Sequence, residues 1–172
     1  INITFSYSRK INDLAQKISQ KLKMSEKDLM DFINKNGFGN YGFDNQNIIG
    51  MFLPDTYEVY WDITPKNLLD KMKKEYDKFW NSERTKKLER INLSKNEVIT
   101  LASIVTSETN KIDEADRIAG VYINRLKKNM LLQADPTLIY AANDFSIRRV
   151  LNKHKKIKSP YNTYRNKGLP PG

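Results

Sequence analysis

A single carboxylate lies where the apolar face of a helix would be expected, at Glu108 in the segment LASIVTSET. Leu101, Ile104 and Val105 precede it by seven, four and three residues, which places all three on its side of a helix. That position predicts partial desolvation, which disfavours the charged form of the carboxyl. A carboxyl that stays protonated near neutral pH suits general acid catalysis, for example at a glycosidic oxygen. The alternative is a glutamate at a fraying helix end that reaches solvent or caps a neighbouring group.

The composition limits other catalytic chemistry. The chain has no Cys and one His, His154, which excludes a disulfide framework, thiolate chemistry and a His-rich metal site. Its 30 Lys and Arg outnumber 20 Asp and Glu, so the formal net charge is +10 over 172 residues. This excess favours an anionic partner, and nucleic acid, an acidic membrane surface or an anionic cell-wall polymer would each satisfy it.

Two predicted helices flank Glu108. Ser94 and Glu97 form a capping-box pattern, so the first helix is predicted to begin near residue 95 and to run as far as Glu108. The second is predicted over residues 113–126, with Asp113 as its N-cap. Its predicted buried face consists of Ala115, Ile118, Ala119, Tyr122 and Leu126. Gly120 lies mid-helix at a cost of about 1 kcal/mol relative to Ala, which a close helix contact or an approaching ligand would offset.

Two later segments carry polar and aromatic side chains. Asp135 precedes Pro136, an ordinary N-cap and first-turn pair for a short helix, so these residues alone favour a capping role for Asp135. Residues 159–172 form a turn-rich segment that displays Tyr161 and Tyr164 between amide and hydroxyl groups. Flat aromatic faces beside short polar side chains suit a sugar ring, although loops of this composition commonly serve only as turns.

The N-terminal part predicts a strand followed by two short helices. Apolar residues alternate as in a half-buried strand at Ile1, Ile3, Phe5 and Tyr7. The second helix begins at Ser25, with Asp28 completing a capping box, and ends at Gly37. This order resembles a LysM-like module, the small fold with which many wall enzymes grip glycan, although any small α+β unit could share it.

The rest of the chain predicts a mostly helical domain. The Gly- and Asn-rich residues 36–47 read as a linker, which predicts domains at 1–45 and 46–172 and an α+β fold with few strands. Residues 51–61 predict a strand broken by a proline. A long helix then begins with Thr64 as N-cap and Pro65 in its first turn. Its predicted buried stripe consists of Leu68, Leu69, Met72, Tyr76, Phe79 and Trp80.

No predicted segment is suited to cross a membrane. The longest uninterrupted apolar run, residues 48–53, is far shorter than the roughly 20 residues that a membrane helix needs. The chain begins at Ile1 rather than Met, so we expect a soluble portion of a longer protein, with any anchor upstream.

Five segments together carry a family resemblance. FLPDTYEV, TLASIVTSET, AGVYINRL, LLQADPTLIYA and SPYNTYRNKGLPPG occur in this order between residues 50 and 172, and they resemble the YceG-like endolytic murein transglycosylases. In that family Glu108 matches the glutamate held to be catalytic. Thr106 departs from the pattern, because many relatives have a second acidic residue there, and the family's final segment would follow residue 172.

The resemblance implies a lyase that cleaves the MurNAc–GlcNAc β-1,4 bond within nascent peptidoglycan strands without water. One carboxyl suffices, because the C6 hydroxyl of MurNAc attacks C1 and leaves a 1,6-anhydro end; no metal and no cofactor are needed. The polar and aromatic members of the matched segments are expected to bind substrate: Asn124, Arg125, Gln133, Asp135, Thr137, Tyr140, Tyr161, Asn162 and Tyr164. Among them, Asp135 could instead cap a helix, Arg125 could be an ion-pair partner and Tyr140 could belong to the core.

The resemblance also implies partners and location. The substrate would be peptidoglycan glycan strands, at the extracytoplasmic (periplasmic) face of the bacterial inner membrane, with membrane attachment only through an N-terminal anchor outside this chain. Peptidoglycan synthases are possible partners, because the family is expected to terminate glycan elongation. A non-catalytic peptidoglycan-binding module is the alternative function. A nucleic-acid binder would explain the charge, but the chain has no recognisable readout motif, so no nucleic-acid partner is expected.

Overall fold

The computed structural model describes residues 1–6 and 8–172, and for residues 36–38 only the backbone. The chain divides into two compact units, Ile1–Lys86 and Lys87–Gly172. The fold class is α+β, as predicted, and both strands formed by the described residues lie in the first unit. Within these described ranges, every helix is too short or too polar to span a bilayer.

A two-stranded antiparallel sheet connects the start of the first unit with its middle. Strand β1 (Asn2–Phe5) pairs with strand β2 (Asp55–Glu58). Ile3 and Phe5 are buried, in agreement with the predicted alternation, but Ile1 is 51% exposed, and Tyr7 lies outside the described residues. Because a strand pair cannot be divided between two domains, the predicted boundary between residues 45 and 46 falls inside the first unit.

Helices make up most of the first unit. They are α1 (Ile11–Ser19), α2 (Glu26–Phe32), a π-helix (Ile33–Gly37), α3 (Phe38–Tyr41), a 3-10 helix (Ile48–Met51) and α4 (Pro65–Phe79). The predicted caps are confirmed: Ser25 accepts a hydrogen bond from the Asp28 amide, and Thr64 accepts one from the Asn67 amide. Residues near 51–61 form the 3-10 helix and the short strand β2 instead of one long broken strand.

Two predictions for the first unit are wrong. Helical backbone continues beyond Gly37 to Tyr41, and the glycine that ends it is Gly42, whose φ of 76° lies in the left-handed region. Phe79, predicted to be buried on α4, is 38% exposed. It is the last residue of α4, and its ring lies 4.1 Å from the guanidinium carbon of Arg84.

The second unit is helical where it has regular structure. After α5 (Ser82–Ile91), which contains the unit boundary, come α6 (Lys95–Glu108), α7 (Ile112–Lys127), α8 (Asp135–Ala142) and a 3-10 helix (His154–Lys156). The buried core consists of Leu101, Ile104, Val105, Tyr122, Leu132 and Ala134. Helix α5 escaped prediction because its sequence is mostly polar and only Leu88 is buried.

Helix starts in the second unit are partly as predicted. The Ser94–Glu97 capping box is confirmed. Asp113 is not the N-cap of α7, because the helix already begins at Ile112. Asp113 lies in the first turn, where its negative charge interacts favourably with the helix dipole. Asp135 is the first residue of α8 rather than its N-cap. Its carboxylate accepts a hydrogen bond from the Tyr164 hydroxyl instead of capping the helix.

Candidate active site

Glu108 is the last residue of α6, and its carboxylate is bound by a tyrosine of α7. The Tyr122 hydroxyl donates a hydrogen bond to Oε1 of Glu108 at 2.7 Å. Leu101, Ile104 and Val105 are buried as predicted, but Glu108 itself is exposed, so the predicted desolvation is wrong. The apolar stripe stops short of Glu108 because α6 ends there and Thr109 is extended.

Tyr122 joins the core of the second unit to Glu108. Its side chain is buried among the core residues, and only its hydroxyl reaches the carboxylate. Burial and the hydrogen bond to Glu108 raise the pKa of Tyr122 above the usual tyrosine value, so its phenol stays a neutral donor. The helical pattern of α7 predicts only a core position for Tyr122. A buried phenol needs a hydrogen-bond partner, and this requirement was the available signal.

A second tyrosine–carboxylate pair lies beside the first. The Tyr164 hydroxyl donates to Oδ1 of Asp135 at 2.5 Å, and burial together with this bond raises the pKa of Tyr164 to about 12. The charge of Glu108 also raises the pKa of Tyr164, and that of Arg125 lowers it, which indicates that both groups lie near the Tyr164 hydroxyl. The structure therefore brings together four residues: Glu108, Arg125, Asp135 and Tyr164.

Arg125 also shapes the loop that follows α7. Its Nη1 donates to the carbonyl oxygen of Leu132, and this bond is the contact observed in place of the ion pair considered for Arg125. The next residue, Gln133, has a φ of 53° and donates its amide to the carbonyl of Thr163 at 3.1 Å. The side chain of Gln133 is thereby left exposed, as is that of Asn124 on α7.

Two predicted substrate-binding residues are interior instead. Asn162 is 0% exposed, and its amide group donates to the carbonyl oxygens of Lys155 at 3.1 Å and Ile157 at 2.7 Å. Thr137 is also buried, with its hydroxyl 2.8 Å from that of Thr163. Buried side chains of this kind hold the surrounding loops in place, because their polar groups are already satisfied within the protein.

Aromatic rings of α8 and of the segments that follow it contact one another. The rings of Tyr140 and Tyr161 are 4.7 Å apart and tilted, and Phe145 packs against Tyr140 at 6.3 Å. Both tyrosines are half-buried. The Lys155 ammonium lies 5.0 Å from the centre of the Tyr164 ring. A half-buried ring can contact a sugar face, and the packing of Tyr140 against two other rings also fits the core role considered for it.

The site offers an exposed carboxylate with a neutral donor on one oxygen. Glu108 can exchange a proton with a bound group through its other oxygen, because its hydrogen bond with Tyr122 uses Oε1. Within residues 1–6 and 8–172, His, Asp and Glu side chains form no group that could hold a metal ion. At Gly120 an added Cβ would meet no atom within 4 Å, so the helix contact considered for this glycine is not observed.

Comparison with known proteins gives matches over most or all of the chain. A model of the YceG-like family matches residues 1–172. The endolytic murein transglycosylase of Bacillus subtilis (strain 168) is 31% identical over 186 residues, which cover 99% of this chain and 51% of the relative. The endolytic murein transglycosylase of Streptococcus pneumoniae serotype 2 (strain D39) is 34% identical over 131 residues, or 72% of this chain and 23% of the relative.

A solved structure is similar throughout the chain. The crystal structure of a YceG-like protein from Listeria monocytogenes has a TM-score of 0.79 and 25% identity, and the match covers 99% of this chain and 61% of that one. The chain spans about half the length of the Bacillus relative that it matches.

Proposed function

The chain belongs to the YceG-like family, and on this basis we propose that it is the catalytic part of an endolytic peptidoglycan lytic transglycosylase. The observation that carries the proposal is the exposed carboxylate of Glu108, which accepts a hydrogen bond from Tyr122. Murein is the substrate in the names of the curated relatives. The products would carry 1,6-anhydroMurNAc ends, formed without water.

The proposed reaction uses Glu108 twice. First, its carboxyl donates a proton to the glycosidic oxygen between C1 of MurNAc and C4 of GlcNAc, the C1–O bond breaks, and GlcNAc leaves with a free C4 hydroxyl. The carboxylate then accepts the proton of the MurNAc C6 hydroxyl as that oxygen bonds to C1. Glu108 ends protonated, as it began, and no water is consumed. A hydroxyl tethered to the same sugar has a high effective concentration, so it competes well with water.

The exposed polar and aromatic side chains are proposed to bind the glycan. Three of them, Asn124, Gln133 and Asp135, are exposed, and four are half-buried: Arg125, Tyr140, Tyr161 and Tyr164. Thr137 and Asn162 would support the site from the interior. Strand β1 followed by α1 and α2, with β2 pairing with β1 after three further short helical segments, supports a LysM-like role in gripping glycan.

We further propose that the protein works at the extracytoplasmic (periplasmic) face of the inner membrane, attached by an N-terminal anchor, and that it ends the elongation of strands made by peptidoglycan synthases. The test of the central proposal is digestion of purified peptidoglycan followed by mass spectrometry. Muropeptides with 1,6-anhydro ends are the expected products. Binding to peptidoglycan without cleavage would favour the alternative of a non-catalytic binding module.

A further inference from the structure

The partner of the Glu108 carboxylate is a fixed donor, whereas Glu108 itself is not fixed by burial. Tyr122 is 6% exposed and lies in the core with Leu101, Ile104 and Val105. Its hydroxyl oxygen is 2.7 Å from Oε1 of Glu108, and 14 residues separate the two along the chain. The packing of α7 against α6 therefore sets where one carboxylate oxygen is held.

The position of Glu108 at the end of α6 makes such a donor necessary. The C-terminal end of a helix carries a partial negative charge, which disfavours a carboxylate there. Thr109 turns the backbone to an extended conformation directly afterwards, with φ at −145°. Without a partner, the exposed side chain of Glu108 would sample several rotamers and its charged form would be opposed by the helix dipole.

We propose that Tyr122 is the positioning residue of Glu108: its hydroxyl fixes Oε1, which leaves Oε2 for the substrate, and it stabilises the carboxylate that exists between the two proton transfers. This inference rests on the proposed role of Glu108 as acid and base. Tyr122 does not touch the reacting atoms in this account. It acts through Glu108 alone.

Several charged and titratable groups surround this pair. Arg125 of α7 and Tyr164 of the C-terminal segment lie near it, and Asp135 of α8 accepts a hydrogen bond from Tyr164. Burial raises the pKa of Tyr122, so its phenol keeps its proton over the range in which Glu108 works. A change in pH dependence after removal of the Tyr122 hydroxyl therefore reports the lost hydrogen bond rather than ionisation of the tyrosine.

The test is Tyr122→Phe, which keeps the packed ring and removes the hydroxyl. A hydrogen bond to a charged group contributes enough that kcat should fall about 10- to 100-fold, while KM stays within about twofold. Loss of the donor disfavours the carboxylate, so the alkaline limb of the pH–rate profile should move to higher pH. Tyr57→Phe in the first unit removes a hydroxyl that donates to the Leu53 carbonyl, and it should change neither quantity.

A second variant guards against a folding defect. Incorporation of 3-fluorotyrosine at position 122 preserves the shape and strengthens the donor, so the alkaline limb should move to lower pH, opposite to the shift in Tyr122→Phe. An unchanged kcat and an unmoved profile in Tyr122→Phe, or no shift with 3-fluorotyrosine, would overturn the inference. Activity in Glu108→Gln would instead overturn the proposed function, so the two failures are distinguishable.

Discussion

The two units differ in their net charge. The first unit has 14 basic and 12 acidic residues, a net charge of +2, and its helices pair Lys27 with Asp31, Lys66 with Asp70 and Lys73 with Asp77. The second unit has 16 basic and 8 acidic residues, a net charge of +8. All of this excess comes from residues 145–172, which contain eight Lys or Arg and no Asp or Glu.

This difference shows that the net charge of the chain belongs mainly to one segment. Residues 145–172 also carry Tyr161 and Tyr164, which lie at the proposed site. Glu108 is therefore in the unit that attracts anions, whereas the first unit neutralises most of its own charge. Peptidoglycan carries carboxylates on its peptides, and the excess would favour its approach to the unit that holds Glu108.

The largest predicted effect is on cleavage, and it is tested by replacing one glutamate in each unit. Glu108→Gln keeps the size of the side chain but cannot give up a proton, and it should lower cleavage by about 10²- to 10⁴-fold. Its thermal unfolding should stay unchanged, because the residue is exposed. Glu75→Gln on α4 is the matched control and should retain full activity. Substantial cleavage by Glu108→Gln would remove this residue from the mechanism.

The next effect compares an interior asparagine with an accessible one. Asn162→Ala removes the donors for two carbonyls and should lower the free energy of unfolding by about 1–3 kcal/mol, as measured by denaturant titration. Asn47→Ala in the first unit removes a turn contact with Asp44, and it should cost less because water can replace that contact. Equal costs at the two positions would show that Asn162 is not the interior support described.

A smaller effect tests the charge of residues 145–172 directly. Replacement of Arg148, Arg149 and Lys156 by Gln should raise KM for peptidoglycan about threefold at low salt, and added salt should remove the difference. The same number of replacements in the first unit, at Lys71, Lys74 and Lys86, should change KM less. A salt-independent effect, or a larger effect from the first unit, would contradict the proposed division of charge.

The smallest effect concerns an ion pair of the first unit. Hydrogen bonds from Lys66 and Tyr41 lower the pKa of Asp70 below its ordinary value of 3.8, so its contribution to stability is present above pH 3.8 and is lost as the pH falls further. Asp70→Asn should therefore reduce the free energy of unfolding by about 0.5 kcal/mol at pH 7 and by nothing in strong acid. A pH-independent difference would exclude this linkage.

Short-range features of the fold were predictable from sequence. The capping boxes at Ser25 and Ser94 and the cap at Thr64 depend on residues three positions apart, and all three were confirmed. The ends of α2 and the starts of α7 and α8 were placed less well. Near those points several residues can cap a helix, and packing decides among them.

Contacts between distant residues could not be derived. The hydrogen bond from Tyr122 to Glu108 joins residues 14 positions apart in the sequence, and the one from Tyr164 to Asp135 joins residues 29 positions apart. Sequence alone does not show that the backbone becomes extended directly after Glu108. Glu108 was therefore predicted to be partly buried, whereas it is exposed. The interior position of Asn162 was also missed, because a polar residue in a turn-rich loop is ordinarily expected at the surface.

The most direct test of the central claim is digestion of peptidoglycan in ¹⁸O-labelled water with mass spectrometry of the new MurNAc ends. If Glu108 acts as the single acid and base, the C6 hydroxyl attacks C1, and the ends should be unlabelled and lighter by one water than hydrolysed ends. Label at C1 in most products would contradict this account. It would mean that a second carboxylate, with Asp135 the first to test, activates water.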